Sequence, residues 1–504
     1  MPRYYIQAEA FNLDHMVYDT HDISTIRGGS FMLLDAVKSL QEAFRDKLEP
    51  IATAASKGVF AYEDPGSLDA QREGMMREVL RVLHDATGGH ATFVVAVEED
   101  VPDDFQLVLN RLEAEVRRQQ WRMPTVVVPP FAPTDQECYL DGWRPGIEPY
   151  PLDREFKISA ATHFRRQRGR ELKHTLFVEL FGEVDDEDDL CAKDLGELAA
   201  DPSKGILSSK IAFIHVDGNS FGRIRSAKCT NPTSRKKFDD LIQKRRLSFL
   251  GDLRTRAYAE HDFHVRTRTG RDVLRLEMLL WGGDEFTLIV PAWKGLEVLE
   301  HFYRIVDGLE FDGVPMSHRA VMIFCHHNAP ILQIRQLAEE LLDVTKSNIK
   351  ARFKSALETD SSFADILQED RDLQVEQLSN AEYGNAARYL VLESFDMLRD
   401  SLNQFLLRYY GRSDTSGLLL YGRKLAELRD HLHLICAAAP KGRMVEIAQA
   451  ISNGDTGRAD ELKKGLRDSI SPDQRDSLDV LTKDNDAGWF LLADLWDYAE
   501  EWKA

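Results

Sequence analysis

The strongest constraint on how this chain folds is a short stretch that reads as a hairpin with acid in its turn. Two apolar runs, Val273–Leu280 and Phe286–Val290, flank Trp281-Gly-Gly-Asp-Glu285. Apolar, β-rich runs on either side of a glycine-containing turn form a β-hairpin. Upstream, the β-rich run Ile211-Ala-Phe-Ile-His-Val216 ends at Asp217-Gly218, 67 residues before Asp284 (284 − 217). A mostly helical, locally basic stretch fills that gap to about Arg271. Beyond the hairpin, Gly295–Val306 reads as a helix, Arg319–Phe324 as a strand, Ile331–Ala351 as a helix and Arg388–Glu393 as a further strand. The resulting βαββαβ order is the ferredoxin-like, split βαβ pattern, so this part of the chain is expected to be α/β (α+β).

The N-terminal part reads similarly. Strand candidates are Tyr4–Phe11, Ala91–Val97 and Pro124–Val128, and helix candidates are Phe31–Leu48 and Phe105–Gln120. Residues 131–205 are less regular. They carry clustered prolines, a basic run Arg165–Arg170, a strand-like Thr175–Leu180 and an acidic run Asp185–Asp189 that reads as a solvated loop. From Ser394 onward a 3.6-residue period dominates, through Leu398, Leu402, Phe405 and Leu406, then Leu418–Ile435 and Trp489–Trp502. The expected division is 1–130, an N-terminal α/β domain; 131–205, a connecting region; 206–395, the hairpin-bearing domain; and 396–504, an α-helical domain. A chain of 504 residues has room for that many cores.

Phosphoryl transfer from a nucleoside triphosphate needs charge neutralisation on the phosphates and activation of an attacking hydroxyl. Two Mg²⁺ (or Mn²⁺) ions about 4 Å apart do both. Magnesium prefers hard oxygen ligands, so carboxylates must converge from different strands. Asp217 at a strand end, with Asp284 and Glu285 in a turn, supplies three, and these are the candidate metal-binding and catalytic residues. Gly282 and Gly283 clear side chains from the path of a triphosphate. Gly218, Asn219, Ser220 and Phe221 lead into a helix whose first N–H groups can meet phosphates. Read alone, Trp-Gly-Gly-Asp-Glu-Phe is also simply a tight hairpin.

These residues resemble two known families. Gly282-Gly-Asp-Glu-Phe286 is the signature of GGDEF-type diguanylate cyclases. Val216-Asp217-Gly-Asn219-Ser-Phe-Gly222 is similar to the second palm of the large polymerase-like subunit of type III CRISPR effector complexes. Asp22-Ile-Ser-Thr-Ile-Arg-Gly-Gly-Ser30 resembles a helix start in that subunit's first palm. Leu337–Lys346 resembles a helix whose closing lysine contacts phosphates in both families. The resemblance implies two ferredoxin-like palms in one chain plus the helical domain. It implies a nucleotidyltransferase joining NTPs, ATP favoured, into a cyclic oligonucleotide in antiviral signalling. It also implies that Lys346 binds nucleotide, that RNA or other effector-complex subunits are partners, and that a homodimer is not required. The chain departs from the pattern at Asn219, where the family has Asp, and at Glu285 in place of Asp. A zinc knuckle and an HD nuclease are not expected. The rival reading is a palm that holds nucleotide or RNA without turnover.

Composition narrows the field. The formal charge is −20, which disfavours a chain that grips nucleic acid over its whole surface. Basic runs remain at Arg165–Arg170, Arg235-Lys-Lys237 with Lys244-Arg-Arg246, and Arg266–Arg271, each a solvated helix face or a funnel for triphosphate or RNA. No stretch approaches the roughly 20 apolar residues of a membrane span, so a cytoplasmic protein is expected. Five cysteines without a Cys-x-x-Cys pair suggest buried thiols.

Overall fold

A computed structural model of the chain describes residues 2–54, 56–63, 69–123, 136–181, 191–266, 270, 272–344, 384–411, 418–482 and 486–502. The fold is mixed α/β and divides into two compact units. The first comprises Met1–Leu190, Ser220–Leu247 and Met278–Phe286. The second comprises Cys191–Asn219, Ser248–Glu277 and Thr287–Ala504.

The first unit is built on strands β1 (Arg3–Ala10), β2 (Glu49–Thr53), β3 (Lys57–Glu63) and β4 (Phe93–Glu99). They form a sheet of order β2-β3-β1-β4 with every neighbour antiparallel. Helix α1 (Ile23–Ala43) links β1 to β2, and α2 (Asp69–Ala86) links β3 to β4. One face of the sheet, with Tyr5, Val59, Ala61, Val94 and Ala96, packs on α3 (Phe105–Arg122). That helix offers Phe105, Val108, Leu112 and Val116, spaced to fall on a single stripe.

Helix α1 starts earlier than its apolar pattern suggests. Asp22 caps it, its carboxylate accepting the Thr25 N–H at 2.9 Å, so Ile23–Ser30 are the first turns rather than a lead-in. Gly28 sits inside the helix because α4 (Ala160–Phe181) crosses it closely, and Gly29 because a Cβ there would lie 2.8 Å from the Met16 carbonyl oxygen. A Cβ on Gly28 would lie 1.7 Å from the Arg165 carbonyl oxygen, and one on Gly169 would lie 1.8 Å from that of Ser24. The strand expected at Thr175–Leu180 is instead the end of α4. No glycine or proline falls between Gly169 and Gly182, and propagation of an existing helix outweighs the weak β preference of Thr175 and Val178. Pro124–Val128 and Asp185–Asp189 lie outside the described residues.

The second sheet is six-stranded. Its strands are β5 (Lys210–Gly218), β6 (Glu277–Trp281), β7 (Phe286–Pro291), β8 (His318–His326), β9 (Ala386–Val391) and β10 (Leu419–Tyr421), in the order β6-β7-β5-β8-β9-β10. Strand β5 pairs antiparallel with β8, from His318↔Gly218 to His326↔Lys210, while β8 and β9 run parallel. Between β5 and β6 lie helices α5 (Phe221–Lys228) and α6 (Pro232–Ala259), and between β7 and β8 lies α7 (Gly295–Val306). In chain order, β5, β6, β7 and β8 therefore stand as second-third-first-fourth, the same order as β1–β4. The central strands are buried along almost their whole length, as expected where both faces are covered.

The chain ends in helices Leu402–Tyr410, Leu425–Cys436, Lys441–Ser452, Thr456–Ser469, Pro472–Thr482 and Ala487–Glu501. The helical period expected over Leu418–Ile435 breaks at its start. Residues Leu419–Tyr421 pair with β9 as an added edge strand, and the helix begins only at Leu425. No described helix is long and apolar enough to cross a membrane.

Candidate active site

Strand β5 is an apolar run whose last turnward residues are Asp217 and Gly218. The Asp217 side chain is about a quarter exposed and is bonded to the Arg319 guanidinium directly across the β5–β8 ladder. The next position outward is locked too. Asn219 donates its backbone N–H to the Ser317 carbonyl and its amide to the Ser317 hydroxyl, both at 2.9 Å. Ser220 takes a left-handed conformation (φ 58°) that turns the chain into α5, and Phe221 is buried at the head of that helix. Two residues before Asp217, His215 bonds Thr287 on β7 at 2.8 Å. Burial drives the His215 imidazole down to about 4, with the positive charges of Arg335 and Arg319 acting in the same direction, so it is neutral at pH 7.

In the turn, the Gly282 N–H donates to the Glu285 carbonyl at 2.8 Å. Neither Gly282 nor Gly283 has positive φ, so the pair does not serve a left-handed turn. What the glycines spare is space: a Cβ on Gly282 would stand 3.0 Å from the Glu285 oxygen, and one on Gly283 would stand 3.4 Å from Ala54. Asp284 lines a cavity within the first unit, together with Gly283 and residues of α5, α6, β2 and β3. The Arg246 guanidinium lies over the Trp281 ring, 4.7 Å from its centroid.

The donor set Asp217, Asp284 and Glu285 is chemically suited to a hard divalent cation, with three carboxylates and no thiolate. Among the described residues no group of three or more His, Cys, Asp or Glu side chains is placed to hold a metal ion. The counter-ion of Asp217 is Arg319. Lys346 lies outside the described residues.

The α4 basic run is not a solvated face, and the α6 run is one only in part. Arg165 bonds Asp19 at 2.8 Å, Arg166 pairs with Asp22 and Arg168 with Asp35, so the α4 arginines knit the first unit together. In α6 the run splits. Arg235 is buried and Arg246 lines the same cavity, while Lys236, Lys237 and Lys244 face solvent. The inward set Arg235, Phe238, Asp239, Ile242 and Arg246 follows helical spacing and was legible in the sequence.

No protein-family model and no curated protein matches the chain. Solved structures similar to it include Csm1–Csm4 cassettes. The cassette in complex with pppApApA aligns at 11% identity and a TM-score of 0.49, over 99% of this chain and 69% of that one. The complex with cA3 gives 12% and 0.47 over the same shares. The complex with cA4 gives 11% and 0.42, and there this chain spans 53% of the other's length. These assemblies belong to type III CRISPR, the source of one of the two resemblances in the Asp217 and Gly282–Phe286 motifs.

Proposed function

We propose that this protein is a nucleotidyltransferase that condenses NTPs, ATP favoured, into a cyclic oligonucleotide or cyclic dinucleotide in antiviral signalling. The observation that carries the reading is the sheet order β6-β7-β5-β8 with the His215–Thr287 bond. His215 stands two residues before Asp217 and Thr287 two residues after Glu285, so the bond ties the two strands that carry the acidic motifs. Asp217, Asp284 and Glu285 would hold Mg²⁺ or Mn²⁺, which when bound neutralises phosphate charge and lowers the pKa of an attacking hydroxyl. Gly218, Asn219, Ser220 and Phe221 would position the triphosphate at the start of α5, with Gly282 and Gly283 leaving room for it. Lys346 remains a proposed phosphate contact. The shared strand order of the two sheets supports two palms in one chain, without need of a homodimer. RNA or further effector-complex subunits are the proposed macromolecular partners.

A binding module without turnover is the second reading. The Arg319 clamp on Asp217 and the neutral Asn219 favour it. Incubating the full chain with each radiolabelled NTP and Mg²⁺ or Mn²⁺, then resolving products, separates the two. Labelled cyclic product from ATP is expected. NTP binding with no product under any divalent ion establishes the module instead.

A further inference from the structure

The first sheet repeats the plan of the second with different chemistry at its acidic positions. Glu9 lies near the end of β1, three residues before Asn12, which takes a left-handed conformation (φ 61°) and opens the helix Leu13–Val17. Asp217 lies near the end of β5, three residues before Ser220 (φ 58°), which opens α5 in the same way. The hairpins match as well. The Ala54 N–H donates to the Lys57 carbonyl at 2.8 Å, as the Gly282 N–H does to that of Glu285 at 2.8 Å. With the strand orders equal, Glu9 takes the position of Asp217, Ser56 that of Asp284 and Lys57 that of Glu285. The strand-end acid is kept, and the acidic pair of the turn becomes a serine and a cation.

That cation has a defined set of partners. Lys57 stands directly across the β1–β3 ladder from Glu9. Its ammonium meets a Glu9 oxygen at 2.9 Å and a Glu113 oxygen of α3 at 2.7 Å. Both Glu9 oxygens are taken up. Oε2 also accepts the Gln7 amide at 3.0 Å, while Oε1 faces Arg117 at 3.3 Å and accepts the Gln120 amide at 3.3 Å. The Glu9 side chain is only 11% exposed, so its charge requires a partner held in place. Burial alone would raise the Glu113 carboxyl, but Lys57, the Gln7 amide and Arg117 hold it down to about 2. An ammonium is a compact charge with three donors, and it gathers oxygens much as a small metal ion does. It brings no bound water and does not act as a Lewis acid, so it activates no hydroxyl.

We propose that Lys57 is a resident cation, standing in this copy of the arrangement where a divalent ion would sit. It ties the end of β1 to the β2–β3 turn permanently. The first sheet therefore keeps that end ordered without metal, and a divalent ion is excluded from it. The comparison reads the acidic set of the second sheet as a metal site, yet the role of Lys57 toward Glu9 and Glu113 can be measured whatever that second set does.

The test counts bound Mn²⁺ by electron paramagnetic resonance on the full chain, for wild type, Lys57→Glu and Lys57→Ser, alongside melting curves in EDTA and in Mn²⁺. Lys57→Glu sets a third carboxylate beside Glu9 and Glu113, and should bind about one Mn²⁺ more per chain than wild type. In EDTA it should melt below wild type. With Mn²⁺ at about a hundredfold excess over its dissociation constant, its melting temperature should rise by about 5 °C more than that of wild type. Lys57→Ser should also melt below wild type in EDTA, because Glu9 and Glu113 lose their ammonium. Each count is a difference from wild type, so inactive or metal-free Asp217, Asp284 and Glu285 would leave it unchanged. Folded Lys57→Glu that binds no more Mn²⁺ than wild type overturns the proposal. So does Lys57→Ser that melts as wild type does. Should Lys57→Glu not fold in EDTA, folding regained with Mn²⁺ supports the proposal, and no recovery counts against it.

Discussion

Asp494 is a carboxylate enclosed in the second unit, and its burial has a readable sign. Burial pushes its carboxyl up to about 7, helped by nearby Glu393 and opposed by the Tyr410 hydroxyl that donates to it at 2.8 Å and by Lys441. Its ordinary value is 3.8, so the folded state holds a proton that the unfolded chain gives up. Stability is full below about pH 4 and declines as pH rises to about 7. Asp494→Asn should therefore melt higher than wild type at pH 8, by about 2 kcal/mol or more, and equally at pH 4. Asp141 has the opposite sign. Burial alone would raise it, but the N–H groups of Arg144 and Trp143 and the hydroxyls of Ser159 and Thr162 hold it down to about 2. Its contribution, about 2 kcal/mol, is present above pH 4 and lost between pH 4 and pH 2, and Asp141→Asn should flatten the acid limb of a denaturation series. At the site, Arg319→Gln should release Asp217 and raise Mn²⁺ affinity measured by electron paramagnetic resonance. Unchanged affinity would show that the ion pair does not compete with metal. The acidic residues of the candidate site could be named from the sequence because carboxylates at a strand end and a turn are a local pattern. Arg319 was not, since its role depends on β8 lying beside β5 in a particular register.

Elements set by periodicity were read well. The helix Gly295–Val306 and the strand around Ile211–Val216 have one strong apolar pattern each and no competing signal. Errors came where tertiary packing decides. Gly28 and Gly29 look like a break, yet Gly28 lies where α1 crosses α4 and no Cβ fits against the Arg165 carbonyl, and Gly29 lies against the Met16 carbonyl. Gly28→Ala should cost about 3 kcal/mol in denaturant unfolding through forced separation of the two helices. A loss within 0.5 kcal/mol would mean the crossing yields. The β2–β3 hairpin went unread, because Pro50 and the irregular register between Pro50 and Ala52 obscure its alternation. The edge strand Leu419–Tyr421 was likewise hidden inside a helical period.

Across the whole molecule, two sheets share one strand order, 2-3-1-4, within a single chain. One of them carries Asp217 at a strand end and an acidic glycine turn between the neighbouring pair of strands. On the proposed function that second set is the reacting centre, and its carboxylates contribute chemistry rather than packing. Asp284→Ala should leave the fold about as stable as wild type, whereas Asp217→Ala strips the nearly buried Arg319 of its counter-ion and should lower stability. The loss of activity should be large, because charge stabilisation at a phosphoryl-transfer centre is realised mainly in the transition state. The decisive measurement is turnover of radiolabelled ATP with Mg²⁺ by wild type, Asp217→Ala and Asp284→Ala at a temperature where each is folded. Product from wild type, with a drop of about a hundredfold or more in each variant, is the expected result. Wild-type turnover in either variant would place the chemistry elsewhere in the chain.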